Sequence, residues 1–251
     1  SCVRLGYHCI FPSKFFANDN TMIAHRKPLD ASAICLMILL CVIWGFNQVA
    51  TKLAADGVSL LTQAAIRSAV ATLLLLAWAR LRGVPLLYRD STLIAGILAG
   101  LLFAGEFAFI YSGLGYTDAA RMVVFIFFSP CLTALGLAWF VPGERLNLRQ
   151  WAGVLVAFGG IALGFADGFA SARGTLLGDL FGLTGAILWA ATTVLIRASK
   201  LASISATRTL FYQLAVSAFV LAALALARGE PGVTRLTPVI VARRFYQAVI
   251  V

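Results

Sequence analysis

Glu106 is the residue of this sequence with the clearest chemical potential, because its carboxyl group lies inside a long apolar run. Arg67 lies at a comparable position in a neighbouring run. Counted from the predicted outer ends at about 1.5 Å per residue, both lie roughly 8–11 Å deep, where they can meet. A charge at that depth faces the bundle interior and often marks a proton or substrate path. Three interpretations follow: a permanent Glu106–Arg67 ion pair that fixes two helices, proton exchange or cation binding by Glu106, or access of Glu106 to outer water.

A polar stripe runs along the first apolar segment. Trp44, Asn47, Gln48 and Thr51 recur at three- and four-residue spacing, which places them on one face of a helix. Unpaired polar groups are costly in hydrocarbon, so this face must contact protein or a water-filled cavity. The stripe therefore predicts either the lining of a substrate cavity or hydrogen bonds between helices.

Side chains for other kinds of chemistry are scarce. The two histidines, His8 and His25, precede the first apolar segment, and the five cysteines form no C-x-x-C pair. The sequence contains no G-x-S-x-G or H-E-x-x-H motif. These observations disfavour a membrane-embedded enzyme, and they predict neither a metal site nor a bound cofactor.

Composition indicates the solvent in which these residues operate. Of the 251 residues, 61% are hydrophobic and 12% are charged, and the mean hydropathy is +0.93. Soluble domains are about 45–50% apolar and about 25% charged, so the excess apolar surface must face lipid. The net charge of +10 comes from residues between the apolar segments, and it fits the positive-inside rule better than nucleic-acid binding.

Seven apolar segments are long enough to cross a bilayer about 30 Å thick. They cover residues 32–50, 60–79, 92–112, 119–141, 150–166, 176–196 and 205–227. An eighth begins near residue 238 and is too short to cross before Val251. Lys and Arg are concentrated in alternate loops, which predicts a cytoplasmic N-terminus. Residues 1–31 are predicted to be a disordered or cytoplasmic segment, with Met22 as the natural start.

Three local features each have a structural and a functional interpretation. Pro130 predicts a kink near the middle of the fourth segment, which a gate could use as a hinge. Asp179 fits either a helix cap or a binding group at the start of the sixth segment. Small-x-x-x-small glycine pairs predict close packing inside the subunit or a homodimer face. These pairs are Gly96 with Gly100 and Gly160 with Gly164.

An internal repeat relates the first segment to the sixth. Residues 44–52 and 189–197 both place a Trp inside an apolar helix that ends with a cation. Each leads into a helix with polar residues in its first turns, namely Gln63 and Arg67 in one and Arg208, Tyr212 and Gln213 in the other. Because the two copies are five segments apart, they have opposite orientations, as in the inverted repeats of secondary transporters.

Several short motifs follow one another in a characteristic order. They are Trp44-Gly45 with Asn47, Arg67, Tyr111 with Gly113-Leu114, Thr117 with Ala119-Ala120, Ser129-Pro130, Gly143-Glu144-Arg145-Leu146, Gln150-Trp151 with Gly153, and Gly159-Gly160. In this order and spacing they resemble the EamA-type family of the drug/metabolite transporter (DMT) superfamily over roughly residues 32–251. Glu106 departs from the family pattern, which more often has an amide or a small residue there.

The resemblance implies an all-α integral membrane protein, a multi-helix bundle of two inverted five-helix repeats. Residues 32–166 are expected to form the first repeat and residues 176–251 an incomplete second repeat. The ten-helix DMT fold is therefore expected to be truncated here after about seven helices. The implied location is a bacterial-type inner (plasma) membrane.

By the same resemblance, the chain is expected to export small metabolites, amino acids or drug-like compounds by alternating access. A non-transporting membrane fragment or assembly component is the alternative, and an embedded enzyme is disfavoured. The expected partners are the lipid bilayer, a small-molecule substrate and a second copy in a homodimer, without nucleic acid. The candidate cavity residues are Trp44, Asn47, Gln48, Arg67, Glu106, Tyr111, Trp189, Tyr212 and Gln213.

Overall fold

Helices make up almost all of the regular structure. The structure, a computed structural model, describes residues 31–32, 34–40, 42–43, 58–86, 91–141, 143, 146–164, 166, 175–230 and 232. The described positions between 31 and 43 are helical and are called the α1 segment. The helices that follow are α2 (Leu60–Leu81), α3 (Leu93–Gly113), α4 (Ala119–Ile126), α5 (Ser129–Phe140), α6 (Leu148–Gly164), α7 (Leu176–Ala198) and α8 (Ala206–Ala227). A short 3-10 helix, Lys200–Ser203, links α7 to α8. The predicted all-α fold is confirmed.

The described helices suit a lipid environment. Within the described part of the chain, five stretches are long and apolar enough to cross a membrane: α2, α3, α4 together with α5, α7, and α8. Helix α6 is apolar but shorter. Large apolar side chains such as Trp139, Phe219 and Leu226 are strongly exposed on the outside of the bundle. A surface of this kind is stable in hydrocarbon and not in water, so the chain is an integral membrane protein.

Contacts between helix ends define one end of the bundle. The Glu230 carboxylate, just after α8, accepts a hydrogen bond of 3.3 Å from the Thr62 amide at the start of α2. Arg228 donates a hydrogen bond of 2.8 Å to the Ser112 hydroxyl at the end of α3. These contacts place the start of α2, the end of α3 and the end of α8 together. We call this the predicted outer end and the opposite end the predicted cytoplasmic end, since the orientation in the membrane stays a prediction.

Helix α3 is the centre of the described bundle. It packs against α7 and α8, while α2 packs mainly against α8, and α4 and α5 pack against α7. A Cβ atom at Gly96 would lie 2.5 Å from the Tyr212 ring, and one at Gly100 would lie 2.5 Å from the Val216 Cβ. These glycines therefore let α8 approach α3 closely, which confirms the packing interpretation for this pair.

The second glycine pair behaves differently. A Cβ atom at Gly160 of α6 would meet no heavy atom within 4 Å among the described residues. Helix α6 itself makes only slight contact with α4 and α5. Packing inside the described part of the subunit therefore does not explain Gly160, and the homodimer interpretation stays a prediction.

The fourth predicted segment is broken near its middle. Phe127 and Phe128 form a turn between α4 and α5, and Pro130 lies in the first turn of α5. Proline is tolerated at this position because its missing N–H would have no partner within the helix. The predicted kink is confirmed as a break three residues before the proline.

Side-chain caps set the helix starts. The Asn147 and Gln150 side chains each accept a hydrogen bond of 2.9 Å from the other residue's amide, so α6 begins two residues earlier than predicted. At α7 the Thr175 hydroxyl accepts a hydrogen bond of 3.2 Å from the Gly178 amide. The cap of α7 is therefore Thr175, and the interpretation of Asp179 as the cap is wrong because its carboxylate is bound elsewhere.

Two helices that the predicted repeat relates to one another end in the same way. The sequence R-G-x-P follows α2 at residues 82–85 and α8 at residues 228–231. Gly83 and Gly229 have φ angles of 65° and 62°, in the left-handed region that glycine adopts without strain. The next amide in each case bonds five residues back, at 2.9 and 3.1 Å, which closes a Schellman motif.

Candidate functional site

Glu106 lies inside the bundle on α3. Its side chain is 3% exposed, and its Oε2 atom has no hydrogen-bond partner among the described residues. The Glu106 carbonyl oxygen would lie 3.6 Å from a Cβ atom at Gly185, so α7 passes close to this turn of α3. The burial contradicts the interpretation in which Glu106 simply reaches outer water. A carboxyl group is therefore buried inside the bundle on a spanning helix.

Arg67 reaches α3 from α2 at the level of Glu106. Its guanidinium carbon lies 4.3 Å from the centroid of the Phe107 ring, in a cation–π contact. Arg67 therefore lies over the ring of the residue that follows Glu106 on α3. Among the residues that the structure describes, neither Arg67 nor Glu106 forms an ion pair. The permanent Glu106–Arg67 ion pair is thus not observed, because the guanidinium stacks on the adjacent ring.

Tyr111 and Trp189 belong to the apolar core around this site. Tyr111 is buried, and its ring centroid lies 5.9 Å from that of Phe107. Trp189 packs from α7 against the same core. The structure therefore brings Arg67 and Tyr111 to the stretch of α3 that carries Glu106, and Trp189 packs against the apolar core that contains Tyr111.

Tyr212 and Gln213 lie elsewhere. The Tyr212 hydroxyl accepts a hydrogen bond of 3.0 Å from Arg208, and its ring lies against Gly96. Gly96 and Glu106 are ten residues apart on α3, which corresponds to about 15 Å along the helix axis. Gln213 is half-buried on the same turn of α8 as Tyr212. These two candidates lie toward the predicted cytoplasmic end, away from Glu106.

The candidates Trp44, Asn47 and Gln48 lie outside the described residues.

The structure adds a polar residue, Ser68, that sequence reasoning missed. Ser68 is 1% exposed, and its hydroxyl has no hydrogen-bond partner among the described residues. It follows Arg67 directly and lies on the buried face of α2 with Leu61, at a spacing of seven residues. This spacing could have predicted that Ser68 lies on the buried face of α2. A single serine on an apolar helix face, however, does not distinguish a binding site from helix packing.

An apolar groove occupies a different part of the bundle. It has a volume of about 570 Å³ and lies between α3, α5 and α7 in the predicted cytoplasmic half. Leu98, Trp139, Ile187 and Val194 are among its lining residues, and none of the candidate cavity residues that the structure describes lines it. Trp139 is 74% exposed, so the groove opens to the side of the bundle. Its chemistry suits an apolar occupant and provides no charged group.

No group of three or more His, Cys, Asp or Glu side chains that could hold a metal ion occurs in the part of the chain that the structure describes. A buried carboxyl group such as that of Glu106 is chemically able to exchange a proton or to bind a cation, and the positive charge of Arg67 lies on the neighbouring helix. Both groups lie at the contact of spanning helices, where polar side chains commonly mark a path for ions or solutes.

Comparison with known proteins places this geometry in context. A model of the EamA-like transporter family matches residues 31–165, more than half of the chain. The matched region contains Arg67, Glu106 and Tyr111.

In each of two curated relatives, the region that matches this chain covers about half of the relative's length. The uncharacterized transporter YvbV of Bacillus subtilis (strain 168) is 30% identical over 162 residues, which cover 63% of this chain and 52% of that protein. A probable amino-acid metabolite efflux pump of Escherichia coli (strain K12) is 26% identical over 155 residues, or 62% of this chain and 50% of that protein. The chain thus spans about half the length of the curated relatives it matches.

A protein of known crystal structure shares the fold. Its TM-score is 0.60 at 22% identity, and the match covers 83% of this chain and 77% of the other. At this identity the likeness concerns the arrangement of helices alone.

Proposed function

This chain belongs to the EamA-like transporter family, and from that premise we propose that it moves small metabolites across a membrane. Export by alternating access is the proposed mode, in a bacterial-type inner membrane with the N-terminus in the cytoplasm. The family match and the spanning helices support this proposal, and so does the absence of nucleophile and metal motifs from the sequence. The proposed activity is transport without chemical conversion of the solute.

One observation carries the proposal at the residue level: the buried carboxyl group of Glu106. A charged group at this depth is expensive, and proteins rarely keep one there without a use in transport. Its Oε2 atom has no described hydrogen-bond partner, which leaves this oxygen available to a proton or to a cationic group of a solute. The proposed path passes between α2, α3 and α7, with Arg67, Tyr111 and Trp189 beside Glu106.

Amino acids and their derivatives are the proposed substrate class. The Escherichia coli relative is named for amino-acid metabolite efflux, and its match supports this class for the present chain. An amino acid carries an ammonium group that can pair with a carboxylate and a carboxylate that can pair with a guanidinium. Glu106 and Arg67 offer these two charges on neighbouring helices, so the proposed site can bind both the ammonium and the carboxylate group of such a solute.

Efflux from preloaded cells tests the proposal. Cells that express the chain are loaded with labelled proteinogenic amino acids and their dipeptides, and release is followed at two external pH values. We expect faster release of at least one compound than from cells with an empty vector. The Glu106→Gln variant should reach the membrane in equal amount but lose this release or its dependence on pH, because the amide cannot exchange a proton.

Glu230→Gln is the matched control. It makes the same chemical change at the predicted outer end, where the amide oxygen can still accept the hydrogen bond from Thr62. This variant should transport like the unchanged chain. No accelerated release of any compound, with the chain present in the membrane, would overturn the transporter proposal. Unchanged release and pH response in Glu106→Gln would overturn the role of Glu106 alone.

A further inference from the structure

An ion pair joins two helices at the predicted outer end. Arg121, in the first turn of α4, donates hydrogen bonds of 2.6 Å from Nε and 2.5 Å from Nη2 to the two carboxylate oxygens of Asp179. Asp179 lies in the first turn of α7. The paired, parallel geometry is the strongest that arginine and a carboxylate form, and it fixes both distance and orientation. The contact therefore ties α4 to α7 in one defined arrangement.

A second set of contacts closes the same end beside this ion pair. The Thr175 hydroxyl and amide both donate to the Tyr116 carbonyl oxygen, at 2.9 and 3.3 Å. A Cβ atom at Gly178 would lie 2.7 Å from the Thr117 Cβ, so the backbone of α7 rests directly on the turn between α3 and α4. Thr117 is 5% exposed beneath this contact. The turn is sealed against the first turn of α7.

The position of the ion pair makes it reversible. The side chains of Arg121 and Asp179 are 18% and 12% exposed, at a helix end where water can reach them. Two charges that separate there regain hydration, unlike charges separated inside hydrocarbon. The tie also joins different parts of the chain, since Arg121 lies within the family-matched region and Asp179 lies beyond it.

We propose that Arg121 and Asp179, with the Thr175–Tyr116 contact, form a clasp that closes the predicted outer end of the transport path and separates when that end opens. The transport role of the clasp rests on the proposed function, whereas the closure itself does not. The described arrangement is then the state that is closed at this end. A solute at the level of Glu106 has no exit past Thr117 until α7 and the α3–α4 turn move apart.

Thiol labelling tests the closure without any substrate. Thr117→Cys places a reporter beneath the clasp, in a chain whose other cysteines except Cys131 are replaced by serine. Labelling by a membrane-impermeant maleimide should be slow in this chain. Arg121→Gln or Asp179→Asn should each raise the rate about tenfold, equivalent to about 1.4 kcal/mol of closing free energy. The charge-exchanged pair Arg121→Asp with Asp179→Arg should restore slow labelling.

Two controls separate opening from unfolding and from general reactivity. Native Cys131 is buried in α5 and should stay unlabelled in every variant, whereas labelling of Cys131 would report a loss of fold. A reporter at Tyr116, which is 47% exposed, should label equally fast with or without the clasp. If either single variant keeps Cys131 protected and leaves the Thr117 reporter slow, the closure is overturned.

Cross-linking tests whether the clasp is a gate. Arg121→Cys and Asp179→Cys are joined by a reducible bifunctional thiol reagent in cells that carry out the efflux described above. The cross-link should abolish release of the compound found in that assay, and reduction should restore it. Release that continues at the full rate in cross-linked protein would overturn the gate while leaving the transporter proposal intact. If the chain releases no compound even before cross-linking, the result contradicts the proposed transport function and not the gate.

Discussion

Glu106 and Arg67 are accommodated inside the bundle by different means. Arg67 places its guanidinium over the face of the Phe107 ring, a contact that stabilises the positive charge. The Oε2 atom of Glu106 has no hydrogen-bond partner among the described residues. The cation is therefore fixed by an aromatic contact, while the acid keeps an oxygen available for exchange.

A double-mutant cycle at the residue scale measures this difference. Arg67→Met and Phe107→Leu remove the guanidinium and the ring separately, and both are compared with the double variant by thermal unfolding in detergent. We expect a coupling of about 0.5–2 kcal/mol, the usual range of a cation–π contact. Additive effects of the two substitutions would contradict it. A rescue of Arg67→Met by Glu106→Gln would instead reveal the ion pair.

The sequence predicted a common level for these two residues but left the partner of each side chain open. Depth follows from counting residues along a helix, so the common level of Arg67 and Glu106 was predictable. The direction of a long side chain also depends on the rotation of each helix about its axis, which the spacing of apolar residues leaves undetermined. Phe107, one position further along α3, was therefore the true contact of Arg67.

Helix α3 owes its central place to its glycines. Gly96 and Gly100 bring α8 to backbone distance, and Gly113 packs against the Phe181 side chain of α7. On α6, a Cβ atom at Gly153, Gly159 or Gly160 would meet nothing within 4 Å among the described residues. The glycines of α3 thus allow close helix packing, whereas those described on α6 have no neighbouring helix against them. The sequence alone does not distinguish the two cases.

Paired alanine substitutions test this at the element scale. A Cβ atom at Gly100 would lie 2.5 Å from the Val216 Cβ and 2.8 Å from the Tyr212 carbonyl oxygen, so α3 and α8 must separate. Gly100→Ala should lower the free energy of unfolding by about 1–3 kcal/mol. Gly153→Ala on α6, where a Cβ would meet nothing within 4 Å, should be neutral or stabilise by up to about 1 kcal/mol. Equal effects in detergent unfolding would refute the packing role.

Helix ends were partly readable from the sequence. The break at Pro130 and the turn at Gly83 follow from the chemistry of proline and glycine, so their existence was predictable. The cap at Thr175 was missed because Asp179 is the more conspicuous residue, and its carboxylate is occupied by Arg121. The R-G-x-P sequence that follows both α2 and α8 also supports the predicted repeat. Hydrophobic periodicity does not reveal it, because the motif lies beyond the apolar segments.

At the scale of the whole molecule, the order of the spans was predictable and their neighbours were not. Apolar length defines a span because hydrocarbon thickness is fixed, so the second to the seventh predicted segments agree with the described helices within a few residues. Which spans touch depends on complementary surfaces far apart in the chain. The contact of α2 with α8 and of α3 with α7 therefore required the structure.

Orientation in the membrane is the prediction that belongs to this scale. Tyr116 and Ser203 are exposed at opposite ends of the bundle. In a chain without other cysteines, Tyr116→Cys should react with an impermeant maleimide added to intact cells, because the positive-inside rule places this end outside. Ser203→Cys should react only after the cells are opened. The reverse pattern would invert the topology.

Glu106 also bears on how the chain enters the membrane during synthesis. An ionised carboxylate near the centre of a span raises the free energy of insertion by about 2.5–3.5 kcal/mol. Helix α3 is the most apolar of the five spanning stretches, and each of its leucine, isoleucine and phenylalanine side chains returns about 0.3–0.6 kcal/mol. The helix that carries the acid is thus the one best able to partition into lipid on its own. Biosynthesis therefore does not require Arg67 to be in place first, and the acid can be retained without an obligatory assembly partner.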